Sequence, residues 1–107
     1  MYDTLKLAKA IMLAADNAKA HSNDHDDGSC NMDFAYLRVP RMSQKTADEI
    51  AVLSGVPLRL DTYKWHGRVL KLNIGQGQAN RNTAMAEAAY RSLKEQGLDA
   101  GMYYQVD

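Results

Sequence analysis

The chain has 107 residues, 46% of them hydrophobic and 24% charged, an ordinary globular composition at a length that can bury its own core. These values exclude a disordered, collagen-like, coiled-coil or disulfide-scaffold chain and argue for one domain over 1–107, since domains usually run ~100–150 residues. Thirteen basic residues balance thirteen acidic ones, so no net field draws the chain to polyanions.

The N-terminal stretch 1–20 reads as a helix. Leu5, Ala8, Met12 and Ala15 fall on one stripe, and Leu7, Ile11, Ala14 and Ala18 on the next. Together they exceed the ~100° apolar arc of a surface helix, so the helix must be covered and is integral to the fold. Asp3 or Thr4 supplies its cap. The apolar run Ala10–Ala15 is bracketed by Lys9 and Asp16. It falls short of the ~7–15 apolar residues of a secretory core and the ~20 of a membrane span. With a single cysteine, Cys30, no intrachain disulfide can form. A cytoplasmic, reducing compartment is the expectation.

The acidic segment 21–31 follows. Asn23, Asp24, Asp26, Asp27 and Gly28 favour turns and local Asx bonds over helix. His21, His25 and Cys30 are zinc-competent ligand types, but their spacing matches no strong zinc pattern. Counting Gly28 as the sixth position of a calcium loop puts Phe34 at the carboxylate position, which excludes an EF-hand. A solvated acidic turn is the preferred reading, with no metal and no cofactor.

From 33 to 106 the pattern becomes strand–helix–strand–strand–helix–strand. Asp33–Val39 alternates Phe34, Tyr36 and Arg38 against Ala35, Leu37 and Val39, which predicts a strand ended by Pro40. A helix is predicted over 43–54, capped by Ser43 or Thr46 and closed by Gly55. Its expected inner residues are Ala47, Ile50 and Leu53. Leu58–Lys64 and Arg68–Ile74 read as a hairpin around Trp65, His66 and Gly67. A polar loop, Gly75–Arg81, leads to a helix over 82–96 with Met85, Ala89 and Leu93 inward. Glu87–Arg91 and Arg91–Glu95 form i,i+4 pairs on its outside. Met102–Val106 is the last strand. This order predicts an α+β protein: an N-terminal helix followed by a ferredoxin-like βαββαβ unit with a four-stranded antiparallel sheet.

Two surfaces carry recognisable chemistry. The hairpin tip, with Tyr63, Lys64, Trp65, His66 and Arg68, has the composition of an interface hot spot and is the expected protein-binding surface. The sheet face opposite the core would carry Phe34, Tyr36, Arg38 and Lys71, with Arg59 and Tyr63 nearby. Eight basic against three acidic residues lie between 38 and 82. Aromatics among cations form a stacking platform for single-stranded nucleic acid. The plainer expectation is that the N-terminal helix lies over this face, on Phe34, Tyr36 and Val69. Gly75-x-Gly77, followed by a helix start and Arg81, is a weaker candidate for a phosphorylated nucleotide, lacking the third glycine and parallel strand of a dinucleotide fold.

No catalytic triad, Walker motif or convincing carboxylate pair is present. The expected function is that of a small non-enzymatic protein acting by protein–protein interaction, as an adaptor or inhibitor of a larger complex, in the manner of bacterial regulators or phage-encoded inhibitors. A module for single-stranded nucleic acid or a phosphorylated nucleotide is the alternative. A homo-oligomer is compatible with either.

Overall fold

The computed structural model describes residues 2–20, 33–64, 67–74 and 79–104, with the backbone alone at 79–83. The acidic segment with His21, His25 and Cys30, the hairpin residues Trp65 and His66, and Gly75 and Gly77 lie outside the described residues, as does the side chain of Arg81.

Helix α1 spans Thr4–Lys19. Asp3 caps it, its carboxylate accepting from the Lys6 N–H at 3.0 Å, which satisfies one otherwise unpaired donor of the first turn. Its buried residues are Ala8, Ala10, Ile11, Ala14, Ala15 and Ala18. Alanines expose little apolar area individually, so burying them requires neighbouring helices to come close.

Strand β1 is Phe34–Arg38. The turn after it is closed by Met42 N–H donating to Val39 O at 3.1 Å. Pro40 and Arg41 are its central residues, and Arg41 takes φ 64°, where a type II turn normally places glycine. Two side chains clamp this turn: Tyr2 Oη donates to Pro40 O and Arg68 Nη1 to Met42 O, both at 2.6 Å.

Helix α2, Gln44–Ser54, is capped by Ser43, whose Oγ accepts from Thr46 N–H at 3.2 Å. Gly55 ends it at φ 69°, its N–H returning to Ala51 O at 2.9 Å, the left-handed stop that glycine adopts without steric cost. The inner stripe is Ala47, Ile50 and Ser54. The expected Leu53 is instead 48% exposed. Ser54 can take the inner place because its hydroxyl donates to Ala51 O and accepts from Val56 N–H, leaving no polar group unsatisfied.

Strands β2, Leu58–Tyr63, and β3, Gly67–Leu72, form the antiparallel hairpin. Helix α3 runs Ala79–Glu95, beginning three residues before the predicted 82. Arg81 therefore belongs to its first turn and not to the glycine loop. Met85, Ala89 and Leu93 are buried as expected, with Ala86, Ala88 and Ser92 beside them. Strand β4 is Ala100–Tyr103, earlier and shorter than the predicted 102–106.

The four strands form one antiparallel sheet in the order β2-β3-β1-β4, and the protein is α+β. Ala35, Leu37, Val39, Leu70, Leu72 and Ala100 share one core with the buried residues of all three helices. α1 packs against α3 and α2. Asn17 Nδ2 donates to Ser92 Oγ at 3.0 Å, and Gln96 Nε2 to Ala10 O at 3.2 Å. The expectation that α1 lies over Phe34, Tyr36 and Val69 is therefore corrected. The helix finds its apolar partner on the helical side, where alanines on α1 and α3 offer a closer fit than aromatic rings. No described helix is long and apolar enough to cross a membrane.

Candidate functional site

Period-2 alternation sends Phe34, Tyr36 and Arg38 to the sheet face away from the helices. The register sets Tyr36 opposite Lys71, Arg38 opposite Val69, and Phe34 opposite Tyr103. From β2, Arg59 faces Lys71 and Asp61 faces Val69. The outer-face residues expected from the sequence, Phe34, Tyr36, Arg38 and Lys71, are thus brought together, with Arg59 and Tyr63.

Lys71 is the centre of this face. Its Nζ lies 3.2 Å from Asp61 Oδ2 and donates to Tyr63 Oη at 2.9 Å. The same ammonium sits 4.4 Å from the Phe34 ring centroid and 5.6 Å from that of Tyr63, within range of ring-quadrupole attraction. Its side chain is only 20% exposed. Carboxylate, phenol and π-face together replace the water that a lysine normally keeps.

Above the lysine the rings assemble into a stack. Tyr103 lies between Phe34, at 5.0 Å and 9° between planes, and Tyr63, at 5.8 Å and 17°. Phe34 and Tyr36 are tilted at 59°, 6.4 Å apart. Tyr36 is almost fully buried, and Val69 on the same face completely so. Tyr36 lies across Gly101: a Cβ built there would meet its Cζ and Oη at 2.5 Å. Glycine on β4 is what lets the tyrosine lie flat on the sheet.

Each cation of this face has a carboxylate beside it. Arg38 Nη1 pairs with Asp99 at 2.9 Å and Arg59 Nε with Asp61 at 3.2 Å, while Asp61 also serves Lys71. Arg38 also reaches Tyr36, with its guanidinium carbon 5.4 Å from the ring centroid.

Of the hairpin residues expected to bind a partner, Tyr63 belongs to this ring stack and Arg68 clamps the turn after β1. Lys64 is exposed beyond the end of β2. Sequence reasoning left Tyr103, Asp61 and Asp99 out of the site. Tyr103 had a local signal, the Tyr103-Tyr104 pair with one ring on each side. Asp61 had one too, since alternation sets it on the outer face with Arg59 and Tyr63. Asp99 had none, because its pairing with Arg38 joins residues far apart in the chain. Tyr104 Oη donates to Glu87 at 3.0 Å. Burial, that hydrogen bond and the nearby negative charge of Glu87 and Asp33 raise its pKa above the usual phenol value. Glu87 is thus engaged by Tyr104 and not in the expected pair with Arg91.

Among the described residues, no group of three or more His, Cys, Asp and Glu is placed to hold a metal ion. Compared with known proteins, the chain matches no family model, and no curated protein or solved structure matches it significantly.

Proposed function

We propose that this is a small, non-enzymatic, cytoplasmic binding protein that acts by protein–protein interaction, as an adaptor or inhibitor of a larger complex. Its docking surface is the ring-stacked sheet face, with Tyr63, Lys64, Trp65, His66 and Arg68 of the hairpin as further contacts. The finer fold assignment belongs to the same reading. The order β2-β3-β1-β4, with β1 and β3 central, supports a ferredoxin-like βαββαβ unit that carries α1 as an addition.

The observation that carries the functional reading is the charge balance of the face. Arg38, Arg59 and Lys71 already have Asp99 and Asp61 as counter-ions. A surface that reads phosphates leaves its cations to be neutralised by the nucleic acid. Tyrosines held in place by their neighbours, as in this ring stack, are instead among the residues that dominate protein interfaces, since little side-chain entropy is lost on docking. The partner's matching surface is apolar or aromatic, with polar groups at its rim.

The test is capture from source-cell lysate by the full chain, with and without nuclease, alongside Tyr103→Ala and Trp65→Ala. A protein partner retained after nuclease, and weakened at least about tenfold by either substitution at unchanged melting temperature, supports the proposal. Capture that vanishes with nuclease, or falls steeply as salt rises, favours the alternative of single-stranded nucleic acid on Tyr36, Arg38 and Lys71, or a phosphorylated nucleotide at Gly75, Gly77 and Arg81.

A further inference from the structure

β2 is an outermost strand. Among the described residues it pairs with β3 alone, in an unbroken register from Leu58↔Leu72 to Tyr63↔Gly67. It has no bulge and no internal proline, two common ways of protecting an edge. Its hydrogen-bond phase is fixed by Asn73 N–H donating to Pro57 O at 2.9 Å. Bonded rows alternate along an antiparallel pair. Arg59, Asp61 and Tyr63 therefore direct their backbone groups toward β3, while the N–H and C=O of Leu58, Leu60 and Thr62 point outward from the sheet.

We propose that β2 pairs antiparallel with β2 of a second copy of this chain, about a two-fold axis through Leu60. In such a pairing the residue on the axis fixes every other contact. With Leu60 on the axis, Leu60 meets Leu60, and Leu58 meets Thr62 of the second copy. These are the outward-facing residues, so each pair exchanges N–H···O bonds in both directions. The intervening rows set Arg59 opposite Asp61, twice by symmetry. Those rows lack hydrogen bonds, so their side chains approach most closely.

The neighbouring axes are disfavoured by charge. An axis at Arg59 puts two arginines face to face, and one at Asp61 puts two carboxylates face to face; like charges directly opposite are destabilising. Arg59 is free to turn outward, because its side chain is 73% exposed and its own contact is the 3.2 Å pair with Asp61. Asp61 stays anchored by Lys71, so the seam becomes a chain of alternating charge, Lys71–Asp61–Arg59, across the two copies. The product is a continuous eight-stranded sheet, two copies of the four strands. A two-fold axis normal to the sheet keeps all helices on one side and both ring stacks on the other. The backbone bonds of this pairing use the edge, and its Arg59–Asp61 rows lie at the margin of the ring-stacked face, where each arginine still meets an aspartate. The pairing therefore leaves the charge balance of that face intact and does not depend on the partner proposed above.

Sedimentation of the full chain over roughly 1 µM to 1 mM tests it, the range in which an interface of moderate size dissociates. A reversible monomer–dimer equilibrium is expected. Thr62→Pro removes an outward N–H from an exposed position without touching the β2–β3 ladder. Arg59→Glu places a carboxylate opposite Asp61. Each is expected to weaken the dimer by about tenfold or more at unchanged melting temperature. A chain that stays monomeric throughout, or a dimer that neither substitution weakens, overturns the proposal. A dimer lost with Thr62→Pro but indifferent to Arg59→Glu overturns the register about Leu60.

Discussion

On one side of the sheet Ala35, Leu37 and Val39 meet Ile11 of α1 and Leu93 of α3 in an aliphatic core. On the other side the alternate residues Phe34, Tyr36 and Arg38 meet Lys71 and Tyr103. The same four strands thus close one face with helices and the other with their own long side chains. The helical face tolerates no polar group without a partner, and Ser54 and Ser92 are bonded accordingly. The ring face is built from polar groups: a lysine, two arginines and two aspartates matched to one another. Such a face satisfies its charges within itself while leaving Arg59 and Asp99 largely in water, whereas the helical face is closed to water by packing.

The difference can be broken at three points. The largest effect is expected on the helical face. Ile11 is fully buried where α1 joins the core, and Ile11→Ala should destabilise by about 2–5 kcal/mol. Urea unfolding measures this; a loss below about 1 kcal/mol would mean that α1 is peripheral after all.

Gly101→Ala comes next. The added methyl meets the Tyr36 ring at 2.5 Å, and overpacking of this kind costs about 1–3 kcal/mol. The double variant with Tyr36→Leu should recover much of that loss, and the non-additivity is the readout. If the two changes simply add, the tyrosine is not what excludes a side chain at 101.

The smallest effect sharpens the contrast at Lys71. Asp61→Asn removes the carboxylate that two cations share and should cost about 1 kcal/mol. Lys71→Met should cost less, since Phe34 and Tyr63 can pack a thioether as well as an ammonium. Thermal melts of the two variants decide the order. If Lys71→Met is the worse of the two, the rings hold the charge itself and not merely the aliphatic stem.

The local features of this fold were legible in the chain. Ser43 and Gly55 mark the ends of α2, Asp3 marks the start of α1, and alternation assigned Phe34, Tyr36 and Arg38 to one face. The start of α3 was not, because Ala79 directly follows Gly75-Gln76-Gly77-Gln78, a loop by composition with no Ser, Thr, Asp or Asn to mark the cap. β4 was placed too late because Ala100 and Gly101 have poor strand propensity. Their place in the sheet comes from pairing with Leu37 and Tyr36. The width of the apolar arc on α1 said that something covers it, but not what, since an arc of alanines fits helix or sheet alike. At the candidate site, alternation gathered the aromatics and cations. Of the carboxylates that neutralise them, Asp61 shares that alternation with Arg59. Its pairing with Lys71 comes from the hairpin register, and that of Asp99 with Arg38 from the segment before β4, which no local pattern encodes.

The flat seat of Tyr36 on Gly101 also constrains how this sequence can change. A side chain at 101 is acceptable only in a chain that has already given up the ring at 36. The ring can return only after glycine has been restored. Position 101 cannot change ahead of 36 without passing through a destabilised form, so the two positions are replaced in a fixed order. Related chains with a side chain at 101 should therefore lack the ring at 36, and the order of replacement along any lineage should run from the tyrosine first.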